Sequence, residues 1–354
     1  MLTVAVALAL FAFALAWPVP VALARAAWPR RMPGAALVLW QAIALAGGLS
    51  MIGSLLVFGL IPFGADLPDA AGAFGSDLFA GRLPHDANFF QMFALAGAVL
   101  LGVHLLLNLV RTAWRAERQR RHHVQLLHLL SDPMPDSPGT RVIDHATPIA
   151  YCLPGAPRAV TVLSAGLLEL LSDEELAAVV AHERAHVTQH HNILLVAFSA
   201  WRSALPWFPI ATRAHEAVGL LIELLADDQA RRTVSGRDLS RAVARVALAA
   251  APQTDTGTGV GSRGSGARAG VKPVGAAVGA GASATARGAV SSPRFGDPGF
   301  GAAPAAPTEW ADARIARLTQ LPIAHVPALR LSVLAASIAL VALPTLMLLS
   351  PAVR

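Results

Sequence analysis

The pattern of apolar and polar positions divides the chain before any motif is considered. Four long stretches carry no charged residue: the N-terminal segment to Ala24, Gly34 to Ile61, Phe89 to Val110, and Leu331 to Ser350. Each approaches or exceeds the ~20 residues an α-helix needs to cross a bilayer. They are read as transmembrane helices at about 2–24, 34–61, 89–110 and 331–350. The first could instead be a signal peptide, since Ala22-Leu23-Ala24 resembles a cleavage site. It lacks a basic n-region and is long for an h-region, which favours a retained helix. His104 and Asn108 in the third stretch are four apart and so share a helix face, where hydrogen bonding to a neighbouring helix is the expected role.

Between the third and fourth stretches the pattern changes. Arg111 to Leu130 continues the third helix, and Ser131 to Gly139 reads as a turn region rich in Pro, Asp and Ser. "IAYCLPG" and "AVTVLS" are short β-prone runs around a Pro-Gly turn, hence a small hairpin. Helical patterning then dominates to about Ala250. From Ala251 to about Pro307 the sequence collapses into Gly, Ala, Ser, Thr and Pro, a composition that cannot bury enough apolar surface to offset its ordering entropy. It reads as a flexible linker over 251–307. "EWADARIARLTQLP" within 308–330 predicts one more short helix, docked on the preceding domain. The expected fold class is therefore mainly α. Three N-terminal transmembrane helices within 1–110 precede an α-helical domain at 111–250 with a small β hairpin, and a C-terminal transmembrane helix follows.

Composition agrees with a polytopic membrane protein: the 354 residues are 55% hydrophobic and only 14% charged. The net charge is +6, but the basic residues are nearly all arginine, many sit beside apolar spans, and no basic run is interleaved with aromatics, which argues against nucleic acid as a partner. The charges also orient the chain. Arg25, Arg30 and Arg31 lie between the first two spans and five arginines lie within 111–121, whereas the loop between spans two and three holds Asp66, Asp69, Asp77 and Asp86 against Arg82 alone. The positive-inside rule places residues 111–330 in the cytoplasm of a cell membrane protein. The lone Cys152 excludes a disulfide framework within the chain and reads as a small buried apolar residue.

The chemistry concentrates in "LLSDEELAAVVAHERAHVTQHHN", Leu170 to Asn192. Ser172 and Glu175 have capping-box spacing, and Leu176, Val179, Val180 and Val187 are expected to form the buried face of the helix they open. His182 and His186, one turn apart, project together and can bind one Zn²⁺, with Glu183 placed to take a proton from water. The bland alternative is a solvated, histidine-rich helix face. His190 and His191, just past the motif, are read as surface residues, with a fortuitous metal contact as the alternative. A catalytic zinc needs a third protein ligand, and "HEAVGLLIELLADDQARR" offers His215, Glu216, Glu223, Asp227 and Asp228. Glu223 sits among leucines, where an unpaired carboxylate is costly, and Asp227 one turn on could orient a histidine ligand. For the oxyanion, Tyr151, His215 and Arg231 stay open as donors. Ile193 to Ala211 is long enough to span, but a single crossing would part His182 and His186 from Glu223. A bent, re-entrant or interfacial segment over 193–211 is expected.

"GLLELLSDEELAAVVAHERAH" followed by "ELLAD" resembles the integral-membrane zinc metallopeptidases of the BlaR/MecR type, related to the HtpX and CAAX-prenyl-protease type. Three spans before the motif and one near the C-terminus resemble the BlaR/MecR arrangement more. The resemblance implies one zinc per chain held by His182, His186 and Glu223, with Glu183 as general base and Asp227 matching the family's trailing Asp. It also implies a protein or peptide substrate, with a cytoplasmic transcriptional regulator and a homodimer as further expectations, and a substrate strand added to the edge of "AVTVLSAGLLELL". Lys272 has no serine three residues before it, so an S-x-x-K acylation site is absent and β-lactam sensing by this chain alone is not expected. Two other readings are a membrane scaffold with a structural zinc, and a quality-control protease. An intact Glu183 argues against the scaffold, because a structural site has no need of a base.

Overall fold

The computed structural model describes residues 1–82, 87–134, 139–153, 160–205, 209–250, 308–320 and 327–349. The linker expected over 251–307, the Pro-Gly turn and Asp86 lie outside the described residues.

Among the described residues, four helical stretches are long and apolar enough to cross a membrane: Leu2–Arg25, Pro33–Phe63, Phe89–Leu127 and Pro327–Leu349. The first is two helices, α1 (Leu2–Ala16) and α2 (Pro18–Arg25), because Pro18 cannot donate to the preceding turn. A short α3 (Trp28–Arg31) leads into α4 (Pro33–Leu60), around which the bundle packs. Leu15 rests on Gly47, and Gly59 brings α4 so close to the next long helix that a Cβ there would lie 2.8 Å from Leu95 Cβ. The loop after α4 contains α5 (Leu67–Phe79), an element the sequence pattern did not announce; Asp66 caps it by accepting from Asp69 N–H at 3.0 Å.

Helix α6 (Phe89–Leu130) opens with an Asn88/Gln91 capping box and runs for 42 residues without interruption, so the third span and its extension are one rod. The small hairpin expected from sequence is in fact half of a four-stranded sheet: β1 (Ser131–Pro133), β2 (Thr140–Ile143), β3 (Ala150–Leu153) and β4 (Val160–Ser164), in the order β1-β2-β4-β3. β1 falls within the stretch read as turn. β3 pairs antiparallel with β4 and β2 pairs parallel with it, which leaves one edge of β3 without a strand neighbour among the described residues. Tyr151 and Leu153 face Leu127 of α6, while Ala150 faces α7 (Ala165–Leu170) and α8 (Asp173–Thr188).

The segment 193–211 is not among the helices long and apolar enough to span, as far as the described residues go. It forms the end of α9 (His191–Ala204) and the start of α10 (Pro209–Ala230), two helices packed against each other and against the long-helix bundle. Trp201 of α9 lies against Gly48, midway along α4. On α6, Asn108 Nδ2 donates to Ala200 carbonyl at 2.6 Å and to Ser203 Oγ at 2.8 Å, and His104 Nε2 lies 3.3 Å from Ala204 carbonyl. The His104 contact supplies a partner for Ala204 carbonyl at the C-terminal end of α9, and the Asn108 bonds add to the last turn of the helix. The polar pair on α6 thus pins the hairpin at its bend.

After α10, α11 (Gly236–Ala250) packs on α8. The final pair is α12 (Thr308–Thr319) and α13 (Pro327–Leu349), so the last span starts four residues earlier than Leu331. α12 docks on α10 and α11 as the sequence implied. Its anchor is Trp310, whose ring fills the space over Gly219, where a Cβ would come within 2.5 Å of the indole. Gly219→Val is therefore expected to lift α12 from α10. Hydrogen–deuterium exchange should show faster exchange across 308–319 in the variant, with α8 unchanged. Equal exchange would mean that other contacts hold α12.

Candidate metal centre

α8 is fixed at its start by a full Ser172/Glu175 capping box. Glu175 is itself buried, with Arg245 at 3.4 Å and Arg241 at 3.7 Å from its carboxylate. The buried face of α8 differs from the expected row of apolar residues. Leu176, Val179 and Val180 are only partly buried, whereas Ala178, His182, Ala185 and His186 are buried. Removing two imidazoles from water is unfavourable unless both ring nitrogens find partners.

The partners come from α10 and from the turn after α8. His182 Nδ1 lies 2.9 Å from Asp227 Oδ1, which fixes the tautomer and turns Nε2 toward His186 and Glu223. His190 adopts a left-handed conformation (φ 54°), a strained region for a residue with a side chain, and this single residue reverses the chain between α8 and α9. The reversal folds His191 back into the site. His191 is therefore buried rather than at the surface, a correction to the sequence reading, while His190 is exposed. His191 Nε2 lies 2.7 Å from Gln189 Oε1 and its Nδ1 lies 3.0 Å from His186 Nδ1. The Gln189 carbonyl oxygen can only accept, so His191 donates from Nε2 and accepts at Nδ1. His186 then donates from Nδ1, which leaves Nε2 unprotonated and directed into the site.

His182, His186 and Glu223 bring three ligand atoms together, all within 4.8 Å of one another and all buried. The separations are 3.1 Å between the two Nε2 atoms, 3.3 Å from His182 Nε2 to Glu223 Oε2, and 3.5 Å from His186 Nε2 to Glu223 Oε1. A tetrahedral zinc with bonds of ~2.0–2.1 Å sets its ligands roughly 3.3 Å apart. Glu223 Oε1 is also buried with no hydrogen-bond partner, an acceptor that an ion would satisfy. The donor set and its spacing fit zinc. Of the other candidates, Glu216 is exposed on α10 and lines a separate hollow, and Asp228 is paired with Arg317.

Arg314 is the site residue that sequence reasoning missed. It projects from α12 and is 9% exposed. Its Nε and Nη2 grip Asp227 at 2.9 and 2.7 Å, and its Nη1 lies 3.0 Å from Glu223 Oε2. This fork-on-carboxylate geometry is the strong form of ion pair. Burial alone would raise both carboxyls; the Arg314 guanidinium, with the histidines beside them, outweighs it and keeps both well below the usual range. A signal for Arg314 existed: Arg314 and Arg317, three apart, answer the adjacent Asp227 and Asp228.

Glu183 follows His182 on α8 and lies within electrostatic reach of His182, Glu223 and Arg314. Burial pushes its carboxyl up to about 7, with His182 and the nearby Cys152 backbone N–H pulling the other way. That N–H is available because Thr161, opposite Cys152, donates its own N–H to Gly139 carbonyl on the far side of β4. Cys152 backbone therefore faces the open edge of β3, and that edge runs past Glu183. The Cys152 thiol, raised to about 11 by burial and set 3.2 Å from Thr161 Oγ1, is an inert packing group. Tyr151 is not the oxyanion donor, because its hydroxyl is directed at His123 Nε2, 2.8 Å away on the α6 side of the sheet. Arg231 lies against Gly236 at the start of α11.

Two histidines and a glutamate thus form a buried three-point cluster that could hold a metal ion, with Glu183 beside it. Residues 115–242 match the model of peptidase family M48, which supports a metallopeptidase; the match ends well before α12 and Arg314. No curated protein and no solved structure gives a match.

The histidine relay has a measurable consequence. His191→Ala should weaken zinc binding by about 10- to 100-fold through the lost support of His186, with no ligand removed. Competition against a chelator dye reads the affinity, and an unchanged value would separate His191 from the site.

Proposed function

We propose that the chain is a membrane-embedded zinc endopeptidase that hydrolyses peptide bonds at the cytoplasmic membrane face. The observation that carries this reading is the convergence of His182, His186 and Glu223 beside Glu183 at the open edge of β3. A zinc ion held by His182, His186 and Glu223 would supply Lewis acidity toward the scissile carbonyl and acidify water. The residues do the rest. A substrate chain pairs with the free edge of β3, its backbone extended past Glu183. Glu183 takes a proton from the attacking water as the water oxygen bonds to the carbonyl carbon. It then delivers that proton to the departing amine nitrogen as the C–N bond breaks. Asp227 and the His191 relay hold the two imidazoles in place, and Arg314 holds Asp227 and Glu223.

The four apolar helices and the arginine asymmetry of their loops support the membrane setting and the cytoplasmic face. The α9–α10 hairpin supports a site at the bilayer surface, where a cytoplasmic regulator or a membrane protein would be within reach. The test is cleavage of an unstructured reporter protein by the purified chain in lipid nanodiscs, with and without a zinc chelator. Cleavage abolished by the chelator and restored by added zinc is expected. Cleavage indifferent to chelation would sink the metallopeptidase reading.

A further inference from the structure

A cavity of about 470 Å³ opens among α1, α4, α6 and the α9–α10 hairpin. Its wall is almost wholly apolar, and along α4 it runs from Trp40 to Leu55. Fifteen residues of helix rise about 22 Å, more than one leaflet of a ~30 Å hydrocarbon core. A second hollow, of about 200 Å³, adjoins it at the end of α4 that carries Pro33. Trp40 lines both spaces, 2% exposed and set between them. The second hollow is polar where the first is not: Arg30 from α3, Arg213 and Glu216 from α10 line it. Neither Arg30 nor Arg213 is in an ion pair among the described residues, and both are exposed.

The stacking of the two spaces has the form of a single amphiphile. We propose that they bind one anionic phospholipid, with an acyl chain in the apolar cavity and the phosphate between Arg30 and Arg213. Charge complementarity selects the headgroup, since two guanidiniums with no ion pair among the described residues line the hollow and would face one phosphate. Glu216 can accept from a headgroup hydroxyl. Trp40 sits at the boundary, where an indole prefers the interface. The space is apolar and open at one side, so within a bilayer, where the surrounding medium is lipid, an acyl chain is what fills it. The opposite wall of the headgroup hollow is Trp310, the residue that anchors α12. A bound lipid would therefore brace the helix that delivers Arg314.

The proposal rests on the membrane setting, and two measurements keep the two apart. Alkaline extraction of cell membranes tests the setting: the wild-type chain should stay with the lipid fraction, and its release would defeat the membrane reading itself. Native mass spectrometry and thermal melts of the purified full chain test the site. The probes are dioleoyl phosphatidylglycerol, dioleoylglycerol and inorganic phosphate. One retained phosphatidylglycerol and a raised melting temperature are expected for wild type. Arg30→Ala/Arg213→Ala should weaken retention at least tenfold, and Ala44→Phe should block it by filling the cavity. The arginine variant alters only exposed side chains, so the test survives if Ala44→Phe fails to fold. Equal retention of dioleoylglycerol, full retention by the arginine variant, or the same melting shift from phosphate alone would each overturn the assignment.

Discussion

Glutamine at position 183 should leave zinc content near one ion per chain and lower peptide-bond cleavage by about 10²- to 10⁴-fold. The substitution keeps the shape and the hydrogen-bonding reach of the side chain, so the Cys152 N–H still has an acceptor. What it removes is the ability to take and return a proton. Because His182, His186 and Glu223 are untouched, metal content separates a lost base from a lost site. A variant that loses both would assign Glu183 to the ligand set. One that keeps full activity would remove it from the reaction.

Arginine 314 carries the second large effect. Arg314→Ala leaves Asp227 and Glu223 buried without their guanidinium, with only His182 between them, and breaking a buried pair in this way costs about 3–5 kcal/mol. The metal-free variant should therefore melt well below metal-free wild type. Zinc brings two positive charges to the same carboxylates, so its addition should raise the melting temperature of the variant by more than that of wild type. Arg314→Lys keeps the charge but not the fork, and should fall between. Melts of the three proteins with and without zinc decide it. Equal melting of wild type and Arg314→Ala without metal would show that the α12 contact contributes nothing to the site.

The parts of this site that were legible in the sequence are those set by helical spacing. His182, Glu183 and His186 lie within one turn and a half, and Glu223 was singled out because a carboxylate among leucines demands a partner. The bend over 193–211 could be deduced because the two halves of the site must meet. What escaped depends on contacts distant in sequence or on a single backbone conformation. Arg314 reaches Asp227 across 87 positions of sequence. His191 was misplaced because its direction is set by the left-handed turn at His190, which no periodicity reveals. β1 and β2, of three and four residues, are too short to carry an alternation, and they exist because β4 and α6 offer them an edge to pair with and a surface to cover.

The most direct test of the central claim is the zinc content of the purified chain, wild type beside Glu223→Ala and Glu216→Ala. Glu223 closes the three-point cluster, while Glu216 lies seven residues earlier on the same helix, exposed in the separate hollow. Near-stoichiometric zinc in wild type and Glu216→Ala, lost in Glu223→Ala, is the expected result. No zinc in wild type after reconstitution, or loss in Glu216→Ala alone, would contradict the account.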